Sequence, residues 1–262
     1  MPATEWGWLI SPEEFDEWTI EDTEDLTLIN KPAHVVCHPS KQGPWSSVAG
    51  AYKEHFGIEK AFMVSRLDRE TSGIILFAKK RPISRQYQMA LQSRRVSKSY
   101  LAILEGELKD ETLAEAEIGQ DKRSLVHSKN CVKLAGSRKE ALTRFTPLHS
   151  RNGYTLAHVR PLTGRKHQIR VHAQHIGHQV VGDKLYGPDE TLFLDFIENG
   201  WSEKLASALP INRQALHAYR MVFEFEDEKR EFVAPMAQDL SSFCKSRLGL
   251  GPTALDSLLQ RI

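Results

Sequence analysis

The sequence predicts an α+β protein with a mixed, mostly antiparallel central sheet, flanking helices and a central cleft. Segments with strand patterns outnumber segments with helical spacing along the chain. Several of the strand segments also follow one another through short turns, such as the one at Asn152-Gly153. Consecutive strands joined in this way pair antiparallel, which is the reason for the predicted class.

The predicted elements follow one another with recognisable starts and stops. Gly57 and Gly249 are expected to end helices, and Pro82 suits the first turn of another helix. A loop that opens at Thr163 leads into a helix that closes at Gly177. The predicted strands are 26–32, 73–80, 99–108, 138–150, 153–162 and 214–226, and the predicted helices lie within 45–57, 82–94, 163–177 and 235–250.

Length and composition indicate an ordinary globular protein. The chain has 262 residues, of which 40% are hydrophobic and 26% are charged. No run of roughly 18 consecutive apolar residues is present, and the start of the chain lacks the features of a secretory signal or a transit peptide. The three cysteines are odd in number and widely spaced, which argues against a disulfide framework. We therefore expect a cytoplasmic protein without a membrane partner, and a monomer.

The net charge of +1 conceals an uneven distribution of charge. Residues 1–25 contain nine acidic residues and no Lys or Arg, so the remainder of the chain carries a net charge of +10. Residues 79–100 contain seven Lys or Arg and no acid. A surface of this sign attracts phosphate groups, although a solvated basic helix face is an equally open explanation.

The first segment that suggests chemistry is "SRLDRETSG", residues 65–73. Asp68 stands between Arg66 and Arg69, just before an apolar strand, where residues of a cleft often collect. A neighbouring guanidinium favours the ionised carboxylate, which could act as a nucleophile or a base. The alternative is an aspartate that only caps local amides in a turn.

The second segment, residues 163–187, is rich in histidine and arginine. A metal site is disfavoured because no His-Glu-x-x-His pattern is present and no acid occurs in the segment before Asp183. Arg170 lies between two apolar residues on the predicted helix, which indicates a buried guanidinium that needs a carboxylate partner. Asp68 is the natural candidate for that partner.

The third segment is "VSKSYLAILEG", residues 96–106. Tyr100 begins a predicted buried strand directly after the basic stretch. Aromatic residues in strands usually belong to the core. A phenol at this place could also stack on a planar ligand or exchange a proton with it.

Together these segments resemble the RluA-type pseudouridine synthases. The motifs are "SRLDRETSGIILFAK", "VSKSYLAILEG" and "RPLTGRKHQIRVHAQHIGHQVVGDKLYG", and two weaker segments, "LINKPAHVVCHPS" and "RQALHAYRMVFEF", agree in order. The resemblance runs from about residue 26 to about residue 245. It implies isomerisation of uridine to pseudouridine in ribosomal or transfer RNA, without a cofactor or a metal.

The resemblance also implies roles for individual residues. Asp68 is the catalytic aspartate, Tyr100 packs on the uracil and is the candidate base, and Arg170 is the partner of the aspartate, in a central active-site cleft. A uridine inside folded RNA must be extruded to reach such a site. The expected RNA-binding residues are Arg66, Thr71, Lys98, Arg165, His167 and Gln168.

Two departures from the family pattern stand out. Ser65 occupies the place where members commonly have a histidine, which puts any RNA contact of that histidine in doubt. The acidic residues 1–25 stand where many relatives carry a basic RNA-binding domain, so we expect an acidic extension followed by a catalytic domain over residues 26–262, and no separate RNA-binding domain. The extension could cover a basic groove, bind a partner or form a partly ordered tail, and we favour the tail.

Two other function classes remain open at this stage. One is an RNA-binding or RNA-folding protein that has lost catalysis on the same fold. It is disfavoured because Asp68, Tyr100 and Arg170 are all retained. The other is a metal-dependent hydrolase that uses the histidines of residues 167–178.

Overall fold

The computed structural model describes residues 9–38, 43–132 and 140–262 and confirms the α+β class. The helices are α1 (Pro12–Trp18), α2 (Val48–Phe56), α3 (Arg81–Gln92), α4 (Gln168–His175), α5 (Thr191–Asn199), α6 (Glu203–Ala208), α7 (Gln238–Phe243) and α8 (Pro252–Leu259). The strands are β1 (Thr19–Asp22), β2 (Leu26–Lys31), β3 (Phe62–Met63), β4 (Ser72–Ala78), β5 (Val96–Glu105), β6 (Thr112–Glu115), β7 (Ile118–Gln120), β8 (Asn130–Val132), β9 (Leu142–Arg151), β10 (Tyr154–Pro161), β11 (Leu216–Glu224) and β12 (Lys229–Val233).

The chain divides into two compact units. Of the described residues, unit 1 comprises 9–38, 43–98 and 217–235, and unit 2 comprises 99–132, 140–216 and 236–262. In unit 1, β2 pairs antiparallel with β1 and β4, β3 pairs antiparallel with β4, and β11 pairs parallel with β4 and antiparallel with β12. In unit 2, β10 pairs antiparallel with β5 and β9, β9 pairs with β6, and β7 pairs with β8. The prediction of mostly antiparallel strands is confirmed.

The described part of the acidic N-terminal extension is folded. Ser11 caps α1 in a capping box, because its hydroxyl accepts from the Glu14 amide and the Glu14 carboxylate accepts from the Ser11 amide. Phe15 is fully buried in the core of unit 1, and β1 pairs with β2. The favoured interpretation of a partly ordered tail is therefore wrong for residues 9–25, while residues 1–8 lie outside the described residues.

The core of unit 1 forms around the apolar strand β4. All seven residues of β4 are buried, which explains why the sequence of this strand shows no alternation of polar and apolar residues. On one side Phe77 stacks on Tyr52 of α2 with ring centroids 4.1 Å apart. The helix α2 ends at Gly57 in a left-handed conformation with φ of +62°, as its sequence predicts.

Unit 2 has a separate core beneath its own sheet. Its longest hairpin joins β9 to β10 through Asn152 and Gly153, whose φ angles of +55° and +76° suit a tight hairpin turn. The predicted turn is confirmed. The strand β9 begins at Leu142, so the described residues Glu140 and Ala141 of the predicted strand precede it, while residues 138 and 139 lie outside the described residues. Near the C-terminus, α7 continues into a π-helical turn that ends at Gly249, the predicted stop.

Within the described residues, no helix is long and apolar enough to cross a membrane.

Candidate active site

Asp68 lies in unit 1, on the loop that joins β3 to β4. The amide of Thr71 donates to the carbonyl of Asp68 over 3.1 Å, which closes a turn around Arg69 and Glu70. Thr71 and Ser72 are buried at the start of β4, whereas Asp68 is half-buried. The carboxylate therefore sits on a loop that is anchored directly to a core strand.

A buried lysine ties this loop to the segment that follows β2. Lys31 is fully buried, and its ammonium donates to the carbonyls of Pro32 at 2.7 Å, Val35 at 2.9 Å and Arg69 at 3.1 Å. Three acceptors match the three donors of an ammonium group. Arg69 adds a second tie, because its Nε donates to the carbonyl of His34 over 3.3 Å. Lys31 is thus a positioning residue for the Asp68 turn that sequence reasoning did not identify.

Cys37 makes the corresponding contact with the residue before Asp68. Its thiol donates to the carbonyl of Leu67 over 3.3 Å, and the Leu67 amide donates back to Sγ over 3.4 Å. Burial raises the pKa of the Cys37 thiol, so the group stays neutral at physiological pH. The two hydrogen bonds of Cys37 therefore hold the Asp68 loop at Leu67.

The two residues before Leu67 face different environments. Arg66 is exposed, with Nη1 3.1 Å from Nε2 of His38, which suits the RNA contact predicted for it. The hydroxyl of Ser65 is buried, and it has no hydrogen-bond partner among the described residues. Ser65 therefore fills the position of the expected histidine without making a polar contact of its own.

The Ser72-Gly73 pair locks β4 against β11 at the end nearest to Asp68. Nε2 of His217 lies 3.2 Å from the carbonyl of Ala234 and must carry the proton there, so Nδ1 accepts from the Ser72 hydroxyl over 2.9 Å. Gly73 has φ of +109°, and a Cβ at this position would lie 2.2 Å from the carbonyl oxygen of Ala218. Only glycine allows this approach of the two strands.

Tyr100 lies in unit 2, near the start of its part of β5. It pairs with Val159 of β10, and its half-buried ring packs against the core of the unit. Lys98, two residues earlier, is half-buried, and burial lowers the pKa of its ammonium group. Tyr100 therefore offers a partly accessible phenol in unit 2, and Lys98, which belongs to unit 1, offers a partly desolvated ammonium group.

Arg170 lies on α4 in unit 2 and forms a bidentate ion pair with Asp183. Nε is 2.6 Å from Oδ2 and Nη2 is 2.8 Å from Oδ1. The side chain of Arg170 is 8% exposed and that of Asp183 is fully buried. Asp183 also accepts hydrogen bonds from the amides of Leu185 and Tyr186. The sequence predicted a buried guanidinium with a carboxylate partner, and the structure identifies Asp183 as such a partner.

Asp183 stays ionised despite its burial. Burial is the largest single influence on its pKa and raises it, but the charge of Arg170 and the hydrogen bonds to the carboxylate outweigh burial and lower the pKa. The contact between Arg170 and Asp68, which come from different units, stays a prediction.

Tyr186 completes the surroundings of Arg170. The guanidinium carbon lies 4.8 Å from the centre of the Tyr186 ring, within the range of a cation–π contact. The Tyr186 hydroxyl accepts from the amide of Asn130 and lies 2.8 Å from Nδ1 of His167. Asp183 and Tyr186 belong to "GDKLYG", the end of the motif that begins with "RPLTGRKHQ". That motif was the sequence signal that could have identified them as neighbours of Arg170.

The side-chain amide of Gln168 forms hydrogen bonds within unit 2. It is 3% exposed; its Oε1 accepts from the Thr163 hydroxyl and the Arg165 amide, and its Nε2 donates to the Leu142 carbonyl and the Thr143 hydroxyl. Its amide is thus occupied in holding the loop before α4. Direct RNA contact by Gln168 stays a prediction that these bonds do not favour.

The remaining expected RNA-binding residues differ in their accessibility. Thr71 is 2% exposed, so its burial does not favour direct contact with RNA. Arg165 is half-buried, and its Nε donates to the carbonyl of Glu140 over 3.1 Å. His167 is half-buried and adopts a left-handed conformation with φ of +59° at the start of α4. Their RNA contacts stay predictions.

The histidines that a metal site would require have separate partners. His172 contacts the Thr143 hydroxyl and the Ala116 carbonyl, and His178 contacts the Glu105 carbonyl. In the ranges 9–38, 43–132 and 140–262, no three His, Cys, Asp or Glu side chains are grouped to hold a metal ion.

Comparisons with known proteins agree on one family. Residues 25–175 match the family model described as RNA pseudouridylate synthase. The chain is 32% identical over 230 residues to ribosomal large subunit pseudouridine synthase D of Vibrio parahaemolyticus, covering 84% of this chain and 67% of the relative. It is 30% identical over 230 residues to an uncharacterized RNA pseudouridine synthase, YhcT, of Bacillus subtilis, covering 84% and 69% of the two chains.

A solved structure shares the fold. The structure of human RNA pseudouridylate synthase domain containing 1 has a TM-score of 0.68, with 22% identity, and the match covers 93% of this chain and 94% of that one.

Proposed function

We propose a function from the premise that this chain belongs to the RNA pseudouridylate synthase family and is an RluA-type member of it. In this proposal the protein isomerises uridines of large-subunit ribosomal RNA to pseudouridine. Family membership makes it an RNA-modifying isomerase. We propose ribosomal RNA as the substrate, and not transfer RNA, because relatives at 30–32% identity carry the name ribosomal large subunit pseudouridine synthase D.

Three residues carry the chemistry in this proposal. The bond between C1′ of the ribose and N1 of the uracil breaks, the base turns, and a bond forms between C1′ and C5. Asp68 attacks the nucleoside as a nucleophile, and the bond that it forms breaks again when C5 joins C1′, which regenerates the free carboxylate. Tyr100 packs on the uracil and removes the proton from C5, and N1 gains a proton, so the product has the composition of the substrate. The roles of Asp68, Tyr100 and Arg170 are those that the resemblance of their motifs implies, and all three residues lie within the range 25–175 that matches the family model.

The surroundings of each residue support its proposed role. The Asp68 loop is fixed by Lys31 and Cys37, so the carboxylate can be held in place for attack. Asp183 fixes the orientation of the Arg170 guanidinium from one side. In the proposal Arg170 then directs its charge to Asp68, which keeps the nucleophile ionised.

The proposal for RNA binding keeps four of the six residues that the sequence indicates, without the buried Thr71 and Gln168. Arg66, Lys98, Arg165 and His167 are partly or fully exposed and could contact the RNA around the extruded uridine. We further propose that the protein acts in the cytoplasm, because relatives carry the name ribosomal large subunit pseudouridine synthase D. A monomer is proposed as the default for a domain of this size. Light scattering of the purified protein would test the monomeric state.

Release of tritium from RNA labelled at C5 of uridine tests the function, because the C5 proton is lost when the base is rejoined. The purified protein should release tritium from large-subunit ribosomal RNA transcripts. Mapping of pseudouridines in cells that lack the protein should reveal the missing position. Failure to release tritium from ribosomal or transfer RNA would favour the non-catalytic RNA-binding alternative.

A further inference from the structure

The basic residues around the start of α3 fall into two groups, those that pair with carboxylates of the chain and those that do not. Lys79 pairs with Asp22 at 2.7 Å, and Lys80 pairs with Glu24 at 2.6 Å and Asp25 at 3.0 Å. The acids belong to β1 and the turn that follows it, which are part of the acidic extension. The chain's own carboxylates therefore compete with any external anion for these two lysines.

The arginines that follow have no such partners. Arg81, Arg85 and Arg94 are exposed, and no carboxylate of the described residues forms an ion pair with them. Arg81 and Arg85 are four residues apart on α3, so their side chains project from the same face of the helix. These two guanidinium groups are available to an external anion.

The position of these charges on α3 is unfavourable for the helix itself. Arg81 is the first residue of α3, Lys80 is its cap without a side-chain hydrogen bond to the helix, and the first turn contains no acid. Cations at a helix N-terminus oppose the helix dipole, where acidic residues would be favoured. The dipole and the arginines instead add their positive potentials at one end of α3, which suits the binding of an anionic partner.

A groove lies beside these arginines within unit 1. It has a volume of about 590 Å³ and is lined by Phe62, Arg81, Pro82, Ser84 and Arg85. The combination of two cationic side chains with an aromatic ring and a proline ring is complementary to a nucleotide, which has an anionic phosphate and a flat apolar base.

The groove is held in shape by the contact between α3 and β3. The side-chain amide of Gln88 donates to the carbonyl of Val64 over 3.1 Å and to that of Met63 over 3.4 Å. These bonds fix α3 beside the strand that carries Phe62. The lining residues are therefore positioned before any ligand binds, which lowers the entropic cost of binding.

We propose that this α3 groove, whose lining contains none of the proposed catalytic residues, binds the RNA backbone, with phosphates on Arg81 and Arg85 and an unstacked base against Phe62. The inference rests on the proposed function for the identity of the partner. Arginine suits this role because its planar fork of donors matches phosphate oxygens. The carboxylates of Asp22, Glu24 and Asp25 repel RNA, so they set the border of the surface on the side of Lys79 and Lys80.

Salt dependence of RNA binding tests the groove directly. The probe is a uridine-rich single-stranded RNA of 20 nucleotides, and both proteins compared carry Asp68→Asn so that no turnover occurs. The double variant Arg81→Gln/Arg85→Gln should lower the slope of log affinity against log salt concentration by about 1.4, which corresponds to two lost phosphate contacts on a single strand. Phe62→Leu should weaken binding roughly fivefold at fixed salt while leaving the slope unchanged.

A matched control separates the groove from net charge. Lys229→Gln/Arg230→Gln removes two positive charges from β12 of the same unit, where both residues pair with acids. This variant should keep the parent slope. Equal slopes for the groove variant and the parent, with unchanged thermal unfolding, would overturn the proposal. A second result would also overturn it: the groove variant binds RNA as the parent does but loses the parent's binding of polyglutamate. The natural partner of the groove would then be an acidic protein surface.

The experiments distinguish failure of the groove proposal from failure of the proposed catalytic function. Tritium release by the wild-type protein together with equal slopes would retain the function and remove the groove. A lower slope in the groove variant without any tritium release by the wild-type protein would retain the groove and remove the proposed catalysis.

Discussion

Arg170 and Asp183 form a buried, bidentate ion pair in unit 2, with N–O distances of 2.6 and 2.8 Å. The two partners are 13 positions apart in the sequence, and neither belongs to the "SRLDRETSG" motif. The pair fixes one edge of the guanidinium that we propose to act on Asp68. It also makes the ionised state of Asp183 a requirement for the stability of unit 2.

Asp183→Asn should destabilise the protein strongly. The variant removes the Asp183 carboxylate from the buried bidentate pair with Arg170, and breaking a buried pair in this way costs about 3–5 kcal/mol. Urea unfolding at pH 7 measures the loss. Asp256→Asn, at an exposed position on α8, is the control and should change the free energy of unfolding by less than about 0.5 kcal/mol. Similar stabilities for the two variants would show that the pair contributes little.

Arg170→Lys should be severely impaired in pseudouridine formation. An ammonium group cannot make the two parallel bonds to Asp183 and would lose the geometry that directs charge to Asp68. We expect a decrease in turnover of roughly 100-fold. Single-turnover tritium release is the measurement, and Arg261→Lys, at an exposed site, is the control. Turnover near that of the wild type would refute the proposed role of Arg170.

Asp68→Asn should abolish pseudouridine formation while RNA binding is retained. The amide has nearly the same shape as the carboxylate but is not a nucleophile, so turnover should fall by about 10³-fold or more. Tritium release and a filter-binding assay on the same RNA measure the two properties. Glu59→Gln removes an exposed carboxylate from the same unit and should leave both unchanged. Full activity of Asp68→Asn would remove Asp68 from the mechanism.

Lys31→Met should affect both stability and turnover. Methionine fits the buried space but leaves the carbonyls of Val35 and Arg69 without their donor, which costs about 1–3 kcal/mol. Loosening of the Asp68 turn should also lower kcat by roughly tenfold to hundredfold with little change in KM. Lys60→Met, at an exposed position, is the control for both readouts. An unchanged kcat in the destabilised variant would limit Lys31 to a purely structural role.

Glu190 should contribute a pH-dependent part of the stability of unit 2. Hydrogen bonds from Lys129, Ser124 and the Leu125 amide lower its pKa from 4.5 to about 2. Because the pKa in the folded state lies below the ordinary value, the contribution is complete above pH 4.5 and is lost as the pH falls towards 2.

Glu190→Gln tests this contribution. It should lower the free energy of unfolding by about 1 kcal/mol at pH 6 and by progressively less below pH 4.5, a figure that allows for partial solvent screening. Urea unfolding over this pH range, with Glu198→Gln as the exposed control, measures the effect. A difference from the wild type that does not vary with pH would contradict the prediction.

Local sequence patterns were sufficient for most elements that frame the site. The apolar run of β4, the Gly57 stop of α2 and the Asn152-Gly153 turn each follow from short-range preferences of a few residues. The helix α1 could also have been read from its capping box at Ser11 and Glu14. The charge composition of residues 1–25 does not reveal this helix, because composition carries no information on the order of the residues.

The sequence by itself determined the class of the fold, the family and the identity of the candidate catalytic residues, because short motifs and the alternation of apolar residues are local properties of the chain. Only the tertiary structure decided that Asp183 binds Arg170, that Lys31 secures the Asp68 turn, and that acids of the N-terminal extension neutralise Lys79 and Lys80. Charge attraction acts between any opposite charges that folding brings together. Which carboxylate reaches which cation is therefore set by packing and burial, not by the order of residues in the sequence.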